Sequence, residues 1–325
     1  MSRKWLYGRN VVISGCSTGM GREITKILIN KYGCNVLGIA RNQAKLISLK
    51  EELKENSGKF TYRMFDVGVK ESWLKLVEEL TAIKFDVDML INNAGIIQPF
   101  MQFDDLTDEQ IDKVLNVNFK SLLYSNKIMI PLIKKSKYGA IVNVSSASAI
   151  LPVAGESIYS ATKSAARALT ECLGQELRPY GIFVSCIMPG PVKTDLYKAR
   201  ESDGDKGSKV KDNFIENIGL TAERAAQKIV HSIAKKKTRV CLGAVAKAMD
   251  LGMKVMPRGT SIIAGKFIKA VSPKVSSFKT IYQEYFDNED KIKANKKARK
   301  GVTYSKKTAV PAFKGFEKDE PHKIG

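Results

Sequence analysis

The stretch Val11-Val-Ile-Ser-Gly15-Cys-Ser-Thr-Gly19-Met-Gly21 decides how the chain reads. A short apolar run, Val11 to Ser14, meets three glycines at G-x-x-x-G-x-G spacing. Ile24, Ile27 and Leu28 then recur at helical intervals. The order is strand, glycine-rich turn, helix. Glycines let a backbone approach a pyrophosphate, which then sits at the helix N-terminus. Many turns carry three glycines, so the weight comes from the position straight after the first strand.

Outward from that turn, apolar runs alternate with helical patterns. Strands are expected at Val36–Ala40, Phe60–Phe65, Met89–Ile91, Ala140–Val144 and Phe183–Met188, with a last one at Val240–Leu242. Helices are expected over Ala44–Asn56, Val69–Ile83, Thr107 to about Ile133, a segment ending near Tyr180, and Thr221–Lys236. Thr107 and Thr221 suit N-caps. Asn116 and Asn118 fall inside the long fourth helix, where a polar amide marks either a kink or a site. Glu201–Lys211, rich in Gly, Ser, Asp and Lys, reads as a mobile loop. This alternation predicts an α/β fold with a parallel doubly wound sheet. Sites in such sheets lie at the strand C-terminal ends, which Gly15, Asn93, Ser146 and Pro189 all follow.

The second strand ends in Ala40-Arg41. An acid there would hold the ribose of NAD, whereas an Arg with no adjacent acid suits a 2′-phosphate. The expectation is NADP(H). Tyr159 and Lys163 are four apart, so a helix places both on one face. Ser146 lies upstream, and a strand ending there would deliver its hydroxyl to the same face. A free Tyr titrates near 10, too high for a good base at neutral pH. A nearby ammonium favours the phenolate and lowers that value. Phenol, ammonium and hydroxyl then form an acid/base site for a carbonyl or alcohol. Taken alone, a Tyr and a Lys at this spacing also fit a solvated surface pair.

Composition narrows the classes. At 325 residues the chain is long enough for one large core, or for two domains at roughly 150 residues each. Five Cys show no C-x-x-C and there are only two His, which argues against a zinc site and a secreted disulfide framework. The thiols read as reduced and mostly buried. The first apolar run is strand-length rather than a signal peptide, and no unbroken run reaches the roughly 18 residues of a membrane span. The expected location is cytoplasmic. The net charge of +21 attracts anions without choosing among cofactors, lipid surfaces and nucleic acid.

The ordered set Gly15-x-x-x-Gly19-x-Gly21, Asp66, Asn92-Asn93-Ala94-Gly95, Asn118, Ser146, Tyr159-x-x-x-Lys163 and Pro189-Gly190 closely resembles the short-chain dehydrogenases/reductases. The match covers about Asn10 to Leu242. The resemblance implies a Rossmann-type sheet and a set of roles. Tyr159 would be the acid/base, Lys163 would lower its pKa and hold the nicotinamide ribose, and Ser146 would orient the substrate oxygen. Asn118 would anchor a water relaying protons through Lys163. Cofactor contacts would come from Gly15, Ser17, Thr18, Gly19, Met20, Gly21, Arg41, Asp66, Val67, Asn93, Ala94, Gly95, Tyr159, Lys163, Pro189, Gly190, Val192 and Thr194. No metal is implied. Two departures, Ser14 where Thr is usual and Ser121 where Gly is common, are mild.

Past Gly243 the family pattern fades. Residues 1–242 read as the catalytic domain and 243–290 as a substrate-lid or packing extension. Residues 291–325, with ten Lys and one Arg against three acids, read as a flexible basic tail. Gly259 to Lys266 superficially suggests a P-loop, but the spacing is one residue long and Ser/Thr is absent. Met-rich apolar sequence in the extension suits a bulky apolar substrate. Hydroxysteroids or ketosteroids come first and long-chain 3-oxoacyl thioesters second. A reading of another class is a non-catalytic NADP-binding regulatory protein with a basic tail. The expected partners are a small apolar carbonyl or alcohol, further copies of the chain in a homodimer or homotetramer, and a weak membrane-surface contact through the basic C-terminal region. No nucleic acid is expected, since the tail lacks interleaved aromatics.

Overall fold

The first strand, β1 (Asn10–Ser14), buries Val11, Val12 and Ile13 completely. A strand buried on both faces needs cover on both, which parallel sheets obtain from their crossover helices. A computed structural model describes residues 3–196 and 218–263, and in it this expectation holds. Six further strands complete the sheet: β2 (Asn35–Ala40), β3 (Phe60–Met64), β4 (Met89–Asn92), β5 (Ala140–Val144), β6 (Phe183–Pro189) and, past a separate pair, β9 (Arg239–Leu242). Their order is β3-β2-β1-β4-β5-β6-β9, and every pairing is parallel. The separate pair is β7 (Val192–Lys193) with β8 (Leu220–Thr221), which the sequence pattern did not signal.

Alternate side chains sort to the two faces. Val11, Ile13, Val36, Met89 and Ile91 pack with α1 (Gly19–Tyr32), α2 (Gln43–Glu52) and α7 (Ala222–Ala234). Val12, Leu37, Leu90 and Ile141 pack with α3 (Lys70–Ala82), α5 (Ser121–Ile133) and α6 (Ser157–Glu176). The strand order reverses between β1 and β4, so a crevice opens at their C-terminal ends.

Three helices differ from the periodicity reading. The helix expected over Ala44–Asn56 stops at Glu52 and passes into a 3₁₀ segment, Lys54–Lys59, because Lys54 adopts a left-handed φ of 49°. The long helix after Thr107 is split. Thr107 does cap α4 (Asp108–Leu115) in a capping box with Gln110. Asn116–Lys120 then form a π-turn before α5. Helix α6 ends at Glu176 rather than near Tyr180, where Pro179 opens a 3₁₀ turn that Gly181 closes. The strand before Ser146 ends at Val144. Thr221 caps α7 through the amide of Arg224, as its type suggests. The Glu201–Lys211 loop and the 291–325 tail lie outside the described residues.

Helix α8 (Gly243–Val255) is tied to β9 by Arg239, whose guanidinium bonds both oxygens of Asp250 at 2.7 and 2.9 Å. That guanidinium holds the Asp250 carboxyl well below the usual carboxylate range. No helix among the described residues is long and apolar enough to cross a membrane.

A buried ladder of amides crosses the sheet where the site forms. Asn92 Nδ2 donates to Asn143 Oδ1 at 2.8 Å, and Asn143 Nδ2 donates to Thr170 Oγ1 at 3.0 Å. It pins β4, β5 and α6 together. An Asn143→Leu variant strands the amide of Asn92 in the core. It is expected to lose about 2 kcal/mol of stability, read as a lower urea midpoint with unchanged slope.

Candidate functional site

The crevice holds a cleft of about 450 Å³ at the ends of β1, β2, β4 and β5. Its floor is the glycine turn. Gly15 has a left-handed φ of +68°, and an added Cβ would meet the Ala94 backbone at 2.8 Å. A Cβ on Gly21 would overlap the carbonyl oxygen of Gly15. The turn therefore needs glycine for close approach, and it presents the first amides of α1 to the cleft. Gly15, Ser17, Thr18, Gly19 and Met20 line the cleft, whereas Gly21 packs beneath it. Thr194 closes over Gly19, with its Cγ2 3.1 Å from where a Gly19 Cβ would stand.

The far end lies past β2 and β3. Arg41, Asp66 and Val67 line it, and Arg41 pairs with Asp66 at 3.7 Å. Lys45 joins them from the first turn of α2. A second cation four residues past Arg41 was a usable signal that sequence reading passed over. Asn42, also in the lining, caps α2 by accepting from the Lys45 amide.

The middle is built from the loop after β4 and the first turns of α6. Asn93, Ala94 and Gly95 line it with Tyr159 and Lys163. Asn93 Nδ2 donates to the carbonyls of Ser14 and Gly15, while its buried Oδ1 has no protein partner. Lys163 is 5 % exposed, and its ammonium lies 5.8 Å from the centre of the Tyr159 ring and donates to the Val144 carbonyl at 3.2 Å. Burial pulls its pKa down from 10.5 to about 8. An added Cβ at Gly95 would come within 3.1 Å of Lys163 Nζ and 3.3 Å of Asn118 Oδ1. The missing side chain therefore leaves a gap between the two polar groups.

Some predicted residues stand outside this lining. Asn118 is buried behind it in the π-turn, where Oδ1 accepts from the Ile96 amide and Nδ2 donates to the Ile96 carbonyl, both at 2.8 Å. Ser146 caps a 3₁₀ turn, Ala147–Ala149, by accepting from the Ser148 amide. Ser145 lines the cleft in its place, donating to the Lys163 carbonyl at 2.7 Å. Pro189 and Gly190 serve the sheet edge, where the Gly190 amide donates to the Leu242 carbonyl. Val192 is buried in β7. The apolar lining from Ile39, Phe65, Ile96, Val117 and Leu196 carried no sequence signal distinct from core.

No cysteine lines the cleft among the described residues. Burial pushes the thiols of Cys16 and Cys186 up to about 12 and that of Cys34 up to about 11. No group of His, Cys, Asp or Glu among the described residues is arranged to hold a metal ion. What the cleft fits is a dinucleotide: a glycine cradle at a helix start, an unsatisfied amide oxygen midway, and cations at one end. Gly21→Ala tests the cradle. The variant is expected to keep its circular dichroism but to lose at least about tenfold in nicotinamide-cofactor affinity, or about 1.4 kcal/mol, measured by fluorescence titration.

Comparison with known proteins agrees. Residues 9–205 match the family profile for short chain dehydrogenases. The very-long-chain 3-oxoacyl-CoA reductase of Homo sapiens is 32 % identical over 235 residues, which span 70 % of this chain and 73 % of the relative. A serine dehydrogenase solved in its closed form with NADP+ superposes with a TM-score of 0.62 at 26 % identity, covering 68 % of this chain and 87 % of that one. A 3-ketoacyl-(acyl-carrier-protein) reductase from Brucella melitensis, solved with NADH, shares the fold with a TM-score of 0.62 at 24 % identity, over 70 % and 91 % of the two chains. With its parallel seven-stranded sheet and glycine-turn crevice, the chain belongs to the short chain dehydrogenase family, oxidoreductases that act on CH–OH groups with a nicotinamide cofactor.

Proposed function

We propose that the chain is an NADP(H)-dependent oxidoreductase that interconverts a ketone and a secondary alcohol on an apolar substrate. The observation that carries this reading is the placement of Tyr159 beside the buried ammonium of Lys163 in the same cleft as the glycine turn. A nicotinamide held in the cleft would supply the hydride for reduction and accept it in oxidation. Tyr159 gives its phenolic proton to the substrate oxygen in reduction and takes one back in oxidation. Lys163 favours the phenolate by its charge. Ser146, just past the cleft lining, orients the substrate oxygen, and Asn118 holds the backbone behind Lys163. The remaining cofactor-binding roles stay with the residues named from the family resemblance, with Lys45 and Ser145 added.

The preference for NADP(H) rests on Arg41 and Lys45 at the end of β2, where no acid stands for the ribose 2′-hydroxyl. For the substrate, a hydroxysteroid or ketosteroid remains the first reading. The second, a long-chain 3-oxoacyl thioester, is favoured by the name of the human relative and by a net charge of +21 that attracts a phosphorylated carrier. The proposed setting is the cytoplasm, as a homodimer or homotetramer. Residues 243–290 form an extension of the 1–242 catalytic domain, and 291–325 a basic tail. Support for a weak membrane-surface contact comes from α8, which exposes Leu251 and Val255 beside Lys247 and Lys254.

The reading is checked by loss of NADPH absorbance against a panel of ketosteroids, 3-oxoacyl-coenzyme A thioesters and small ketones. Turnover on one apolar class is expected, and Tyr159→Phe is expected to reduce it by at least about a hundredfold with NADPH affinity kept within about twofold. Substantial residual activity removes Tyr159 as the acid/base. In the same assay, Arg41→Asp is expected to lower the NADPH-to-NADH ratio of kcat/KM by at least about tenfold. An unchanged ratio hands the 2′-phosphate to Lys45.

A further inference from the structure

Tyr159 is the third residue of α6, and the amide at that position is one that a helix cannot satisfy internally. An N-cap side chain ordinarily accepts from it. Here the N-cap is Glu156, whose side chain makes no such bond. The acceptor comes instead from 61 residues away: Gln98 Oε1, in the loop after β4, takes the Tyr159 amide at 2.9 Å. The other end of the same side chain, Nε2, donates to the Gly155 carbonyl at 3.4 Å. Gln98 is 1 % exposed, so water does not substitute for either bond.

The Tyr159 carbonyl is held as well, by Thr162 Oγ1 at 2.8 Å, and Thr162 Oγ1 in turn accepts from Asn118 Nδ2 at 3.3 Å. Asn118 also clamps both backbone groups of Ile96, two residues before Gln98. The bonds close a ring: Asn118, Ile96, Gln98, Tyr159, Thr162 and back to Asn118. Both backbone polar groups of Tyr159 are thus fixed by side chains referred to one loop. We propose that Gln98 is a positioning residue, which holds the first turn of α6 so that the Tyr159 phenol stays near the ammonium of Lys163. This rests on the catalytic reading of Tyr159 above for its consequence in turnover, but not for the placement itself.

The test uses the full chain with Gln98→Met, which keeps length and volume but neither bond, and Gln98→Glu, which keeps the acceptor. The Tyr159 ionisation is isolated from the other tyrosines as the ultraviolet phenolate titration of each protein minus that of the same protein carrying Tyr159→Phe. With Gln98→Met, Tyr159 is expected to titrate at least about half a pH unit higher, since its phenol drifts from the Lys163 charge. Turnover with NADPH and either a 3-ketosteroid or a 3-oxoacyl-coenzyme A is expected to fall at least about tenfold, with NADPH affinity within about twofold of the parent. Gln98→Glu is expected to restore most of that turnover. A Tyr159 titration in Gln98→Met that coincides with the parent's overturns the proposal. So does lost turnover accompanied by an equal loss of NADPH affinity in both variants, which marks general damage. Turnover surviving Tyr159→Phe sinks the catalytic reading instead, while the titration still decides where Gln98 holds the phenol.

Discussion

An ammonium is carried into a part of the protein that water scarcely reaches, and much of the site is arranged around it. Burial alone disfavours the charged form of Lys163, as its lowered pKa shows. A carbonyl, that of Val144, faces the ammonium at the end of β5 and accepts from it. The residues next to it have duties toward the same helix. Ser145 binds the Lys163 carbonyl, Gly95 withholds a side chain that would crowd the ammonium, and Tyr159 lies one turn back along α6. A partly desolvated cation beside a phenol acts on it more strongly, because less screened, than the same pair in water.

Holding that arrangement requires rigidity in elements far apart in sequence. The sheet supplies part of it, because parallel strands in register bring the ends of β1, β4 and β5 to one level. The amide ladder from Asn92 through Asn143 to Thr170 extends the registration into α6. Fully satisfied buried polar networks specify one arrangement of the groups they join, since any slip leaves a donor unpaired. The π-turn at Asn116–Lys120 belongs to the same scheme. It interrupts a helix where Asn118 must face sideways to hold Ile96.

The two ends of the cleft have different physics. At the glycine turn the determinant is steric: backbone must meet backbone, and a single methyl at Gly21 has nowhere to go. At the far end it is electrostatic, with Arg41 and Lys45 on an open rim where Arg41 already leans on Asp66. Steric demands are met by one residue type, whereas an exposed charge is interchangeable with its neighbours and screened by salt.

The features legible in the sequence are the ones set by local geometry. Strand, glycine turn and helix over Val11 to Leu28 follow from periodicity and from the need for residues without Cβ, and the pairing of Tyr159 with Lys163 follows from 3.6 residues per turn. The helix ends were less legible. The positive φ of Lys54 and the π-turn at Asn116 answer to neighbours rather than to period. That Ser145 rather than Ser146 lines the cleft turned on how the chain bends just past the end of β5. Asn118 stood out as a polar amide inside a helix, but its bonds to Ile96, like Gln98 under Tyr159 and the ladder through Asn143, had no sequence signature. The sequence by itself determined which chemical groups are present and which neighbours share a turn or a strand end. Only the tertiary structure decided which distant polar group satisfies which buried amide, because that choice depends on separations of 22 to 61 residues that no short-range period records.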